Sequence, residues 1–205
     1  MTVPPLPLEK LDALLVDLGN VLVSLHVGRF IRRLRAVVGQ ESPDRLFAEG
    51  TYHRFARGEL TPQAFHAALV EHAGCCWPYD DFVAAWCDVF EEIAPSVQAV
   101  RRMRELRPVF LLSNTDALHW ESIRRRWSWT SLFSGLHLSF EVGIEKPDPR
   151  FFLTFLERHP VRPARCLYID DLDENVAAAR SVGLVAVRQA DAETLARTVD
   201  ELLPE

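Results

Sequence analysis

Four short aliphatic runs constrain the fold more than any other feature: "ALLVDL" (13–18), "VFLLS" (109–113), "CLYID" (166–170) and "LVAV" (184–187). Each is apolar throughout rather than alternately apolar. That is the pattern of strands covered on both faces, as in a parallel sheet. Helical patterns separate the last three. In "PSVQAVRRMRELR" (95–107), Val97, Val100, Met103 and Leu106 recur at three-residue steps, and Pro95 suits a first turn. Residues 172–182 read as a helix running into Gly183, and 191–203 as a final amphipathic helix. The alternation predicts an α/β fold with a doubly wound, Rossmann-like parallel sheet.

Residues 25–94 interrupt it. Helical patterns fall at about 27–38, 43–49, 61–73 and 79–92, with no convincing strand among them. Thr61–Pro62 is a helix start and Gly74 a stop. The expected organisation is a core of 11–24 plus 95–205, with 25–94 as an inserted all-helical domain.

Ligands of open α/β sheets bind at the carboxyl ends of the strands. The first run carries Asp17 there, the second ends in Ser113 followed by Asn114 and Thr115, and the third ends in Asp170–Asp171. A loop, "EVGIEKPDPR", offers Lys146. Acids gathered at one edge repel each other unless a cation sits among them, and an all-oxygen set suits Mg²⁺. A lysine and a hydroxyl beside such a site can neutralise and orient a phosphoryl group, and a carboxylate can serve as the nucleophile.

"VDLGNVLV", "LLSNT", "KPDPRFF" and "YIDDLDENV" resemble, in order, the four motifs of the haloacid dehalogenase-like (HAD) superfamily. "RFARGELTPQAF" and "SNTDALH" are similar to the branch that holds glucose-1-phosphate phosphatase and the phosphatase domain of soluble epoxide hydrolase, with a helical cap. The resemblance implies Asp17 as nucleophile and metal ligand, the Gly19 carbonyl and Asp171 as further ligands, and Asp170 as ligand or outer partner. It implies Ser113 and Asn114 on the phosphoryl oxygens and Lys146 bridging phosphate and nucleophile. Members usually carry D-x-D in the first motif, the second Asp being the general acid; Gly19 stands there instead. His119, a substrate hydroxyl or water are candidates for that proton, although His119 reads more readily as a solvated helical histidine. Tyr52, Arg54 and Arg57 are the cap groups expected to meet substrate.

The expected function is a Mg²⁺-dependent phosphatase of a small phosphorylated metabolite, a sugar phosphate among the candidates. A 2-haloacid dehalogenase and a low-turnover binding protein are the competing readings. With Lys and Arg totalling 23 against 29 Asp and Glu, the net charge of −6 leaves no basic footprint for nucleic acid. Arg124–Arg126 before Trp127 and Trp129 read as a solvated helix face. No apolar run approaches the ~20 residues of a membrane span, there is no signal-peptide pattern, and the four cysteines lack C-x-x-C spacing. A cytoplasmic monomer or homodimer with reduced thiols is expected.

Overall fold

The computed structural model describes residues 7–38 and 50–202. β1 (Ala13–Val16), β4 (Val109–Ser113), β5 (Gly135–Leu138), β6 (Cys166–Asp170) and β7 (Val185–Arg188) form one sheet in the order β5-β4-β1-β6-β7, every pair parallel. Every residue of β1, β4 and β6 is buried, as continuous apolar runs require. One face meets Leu14, Val16, Leu111, Leu167 and Ile169 with Val97, Val100 and Met103; the other meets Leu15, Phe110, Leu112 and Tyr168 with Phe151, Phe152 and Phe155. The parallel, doubly covered α/β sheet is as the sequence predicts.

β5 was not expected. "GLHL" opens on glycine and carries a histidine, so it lacks the aliphatic signature, and it is made a strand by pairing with β4. The interval 25–94 also differs from a purely helical reading. β2 (Val23–Leu25) and β3 (Phe90–Glu92) pair antiparallel at the two ends of the insertion. The helix expected over 79–92 therefore stops at Cys87. Between them lie α1 (Val27–Val38), α2 (Thr51–Ala56), α3 (Pro62–Ala73) and α4 (Tyr79–Cys87). The helix expected at 43–49 lies outside the described residues. α3 has the predicted ends: Thr61 Oγ1 accepts from the Ala64 N–H at 3.1 Å, and Gly74 closes it at φ +59°. An aromatic cluster of Phe30, Phe55, Phe65, Trp77, Phe82 and Trp86 fills the space between these helices.

The remaining α-helices among the described residues are α5 (Ala94–Arg104), α6 (Ala117–Arg126), α7 (Ser139–Val142), α8 (Pro149–Arg158), α9 (Asp173–Ser181) and α10 (Thr194–Leu202). Leu106, expected on the buried stripe of α5, is exposed because the helix ends at Arg104. No helix among the described residues is long and apolar enough to cross a membrane.

His137 of β5 is buried, and its Nε2 donates to the Phe151 carbonyl at 2.8 Å. Burial, helped by the charges of Arg158 and His159, pushes its pKa down to about 4 from 6.5. The folded state thus binds fewer protons than the unfolded one. Stability is complete above pH 6.5 and is lost as pH falls towards 4, by on the order of 2 kcal/mol. Urea titrations across that window should give a steeper acid slope for the parent than for His137→Gln, whose amide can donate but does not titrate. Equal slopes would remove His137 as the cause.

Candidate active site

Because β4, β1 and β6 are neighbours, their carboxyl ends bring Ser113, Asp17 and Asp170 side by side. The loop after α7 brings Lys146 to the same point. Asn114 clamps it there: its Oδ1 accepts from the Lys146 N–H and its Nδ2 donates to the Lys146 carbonyl, both at 2.8 Å. The Lys146–Pro147 peptide is cis.

Lys146 is buried, and its ammonium lies 2.8 Å from Asp17 Oδ1 and 2.7 Å from Asp170 Oδ2. It also donates to the Leu112 carbonyl at 3.1 Å and to the Tyr168 hydroxyl at 2.9 Å. Burial pushes the Asp17 carboxyl up to about 7 even against the pull of Lys146, and the charge of Asp170 adds to the rise. Burial alone would discharge Lys146, but Asp17 and Asp170 together hold its pKa above the ordinary value. Burial opposes the charge of Asp170 too. There Lys146, with hydrogen bonds from Tyr168 and Leu172, wins and draws the pKa down.

Carboxylate oxygens of Asp17, Asp170 and Asp171 lie within 4.8 Å of one another. Three carboxylates around one ammonium leave two negative charges uncompensated when all are ionised, which a divalent cation with oxygen preference would balance. The three acids differ in availability. Asp170 accepts from the Leu172 N–H, the Asn175 amide, the Lys146 ammonium and the Tyr168 hydroxyl, so its acceptor positions are committed to protein donors. Asp171 takes the Asn20 amide at 2.9 Å. Asp17, Gly19 and Asp171 line a cavity of about 260 Å³ together with Ser113, Asn114 and Lys146, and Asp170 stands behind that wall.

At Gly19 a Cβ would come within 2.7 Å of Leu25 Cδ1. The tip of the Leu25 side chain from β2 therefore stands where a Cβ at residue 19 would need room.

His119 is not solvated. It is buried on α6, its Nδ1 is 2.8 Å from Asp116 Oδ2, its Nε2 donates to the Trp86 carbonyl at 3.0 Å, and its ring stacks on Trp86 at 4.8 Å. The ring lines the cavity, but protein groups hold both nitrogens. Tyr52 lines the cavity. Arg54 and Arg57 are not in its lining. Arg57 is tied to Glu59 at 2.7 Å and Glu145 at 3.2 Å, and Arg54 approaches Glu59 at 3.5 Å. Sequence reasoning missed Tyr168 and Asn175, which steady Asp170. Asn175, five residues after Asp170 in the first turns of α9, carried a signal in its spacing; Tyr168 inside an apolar strand carried none.

Residues 11–183 match the family model of haloacid dehalogenase-like hydrolases. Sesquiterpene phosphatase astK of Aspergillus oryzae is 27% identical over 145 residues, 69% of this chain and 73% of the relative. D-ribitol-5-phosphate phosphatase of Bacteroides thetaiotaomicron is 22% identical over 182 residues, 82% of this chain and 86% of the relative. Among solved structures, a HAD family enzyme of B. thetaiotaomicron in complex with magnesium and inorganic phosphate superposes with a TM-score of 0.81 at 25% identity, covering 87% of this chain and 93% of that one.

Proposed function

Since this chain belongs to the haloacid dehalogenase-like hydrolases, we propose that it is a phosphatase that hydrolyses phosphomonoesters of small organic metabolites through a phospho-Asp17 intermediate, with Mg²⁺ as cofactor. The observation that carries this reading is the pairing of Asp17 with Lys146 at 2.8 Å on a cavity wall shared with Ser113, Asn114 and Asp171. The phosphatase relatives and the magnesium–phosphate complex of a structural neighbour support it.

In this scheme an Asp17 oxygen attacks phosphorus, the bond from phosphorus to the alcohol oxygen breaks, and water later cleaves the acyl phosphate to return Asp17 and phosphate. Lys146 neutralises charge on the transferring group and holds Asp17 in place. Ser113 and Asn114 orient the phosphoryl oxygens. Asp17, Asp171 and the Gly19 carbonyl are the groups that would hold Mg²⁺, whose positive charge would offset that of the phosphoryl oxygens. Asp170 acts through Lys146, fixing its ammonium. No side chain at position 19 delivers a proton to the leaving alcohol, which takes one from water. The helices of 25–94 serve as a cap over a core of 11–24 and 95–205.

Phosphate release from a panel of metabolite phosphates, with Mg²⁺ and then with chelator, tests this. Release that falls to background on chelation and returns with Mg²⁺ is expected. Metal-independent turnover, or halide release from 2-chloropropionate, would overturn it.

A further inference from the structure

Beside the Asp17 cavity lies a second one, of about 310 Å³, lined by Leu25, Val27, Phe30, Tyr52, His53, Trp86, Val89 and His119. The two share Leu25, Tyr52 and His119 in their walls. The two cavities therefore adjoin at these residues, which a body joined to a phosphoryl group at Asp17 would reach first. The volume meets the lower bound of about 300 Å³ for small-molecule pockets.

The polar atoms of this wall are largely spoken for. Trp86 Nε1 donates to Asp116, both nitrogens of His119 are held by Asp116 and Trp86, and His53 Nδ1 is 3.1 Å from Glu145. A pocket built for a sugar would turn donors and acceptors inward, since a polyol hydroxyl left unpaired costs binding. This one turns inward aromatic faces and aliphatic branches. Its rim has the same character. Leu25 is 38% exposed, Val27 51%, and Leu172, on the wall of the Asp17 cavity, 47%. Apolar side chains exposed singly are ordinary; two on the wall of this cavity, with a third on the wall of its neighbour, extend the apolar character to the surface. Leu25 adds a third observation, because its terminal methyl also closes against Gly19, within 2.7 Å of where a Cβ there would stand.

From these we infer that the substrate's alcohol is a hydrocarbon-bodied one, aromatic or branched aliphatic, seated in the second cavity while its phosphoryl group meets Asp17. The inference rests on the phosphatase reading and replaces a sugar phosphate as its substrate.

The test separates the two. Calorimetric binding of methyl-, butyl-, octyl- and phenylphosphonate to the Mg²⁺-loaded protein needs no turnover. Affinity should climb along the alkyl series, by up to about fourfold per methylene buried. The phenyl compound distinguishes an aromatic occupant from an aliphatic one. Val27→Asn, which puts a helix-compatible polar group on the wall at the first turn of α1, should flatten the climb, and Leu25→Ala should do so more weakly. Phosphate release from the matching esters should follow the same order and exceed release from hexose phosphates. Equal affinity for methyl- and octylphosphonate, or preferred turnover of sugar phosphates, would overturn the inference and leave the phosphatase standing. Chain-length-dependent binding with no release from any ester would sustain the cavity's assignment and overturn the phosphatase.

Discussion

Asp17→Asn should abolish turnover while leaving a folded protein that, in metal-free buffer, is more stable than its parent above pH 7. The activity loss is expected to be at least about 10⁴-fold in kcat, the scale on which a covalent nucleophile is missed. The stability gain comes from the same carboxyl. Asp17 is held at about 7 against an ordinary 3.8 because burial and Asp170 both oppose its charge. A raised carboxyl means that the folded state binds more protons than the unfolded one. The parent therefore loses stability as pH rises above 3.8, and the loss is complete above about 7. An amide of the same shape has no such dependence. Lys146 keeps Asp170 as its partner at 2.7 Å, so no uncompensated charge is left behind. The expected difference at alkaline pH is on the order of 4 kcal/mol, read by urea unfolding at several pH values beside phosphate release. A variant that is inactive and also less stable at alkaline pH would mean that Asp17 is a structural partner of Lys146 and that its loss of activity says nothing about chemistry.

The parts of the site that were legible in the sequence share one physical origin. A buried strand is a continuous apolar run, so the residue that breaks it is conspicuous, and the fold rule then says where that residue points. Asp17, Ser113 and Asp170–Asp171 were visible for this reason, and Lys146 because proline and a helix start pin its loop. What was hidden depends on partners distant in sequence. The three-residue strands β2 and β3 acquire their structure only by pairing Val23 with Glu92 across the whole insertion. His119 looks like a surface residue of a polar helix until Trp86, from the insertion, covers its ring. Arg54 and Arg57 sit in a chain segment whose acidic neighbour Glu59 was in view, and a local ion pair could have been preferred to a substrate contact. Their link to Glu145 could not have been seen. The apolar cavity is hidden most deeply, since α1, α2, α4, α6, β2 and the turn before β3 each contribute to its wall.

Lys146→Met should damage both stability and activity, with the opposite pH signature to Asp17→Asn. The ammonium is the only cation hydrogen-bonded to Asp17 and Asp170 among the described residues, and it is as buried as they are. Removing one partner of a buried ion pair costs about 3–5 kcal/mol, because the remaining charge has neither water nor a counter-ion. Here two carboxylates would be left facing each other. One of them must take up a proton, and Asp170, now drawn down chiefly by Lys146 against its burial, would lose the group that keeps it ionised. The folded variant then binds more protons than the unfolded chain over a wider range. Its deficit is smallest near the ordinary carboxyl value of 3.8 and grows as pH rises from there. Activity should fall by about 10²–10³-fold, the usual cost of one preorganised electrostatic group at a reacting centre. Unfolding titrations from acid to neutral pH decide the matter. A deficit that is constant with pH would show that methionine merely packs badly, and that the ammonium is not what reconciles the two acids.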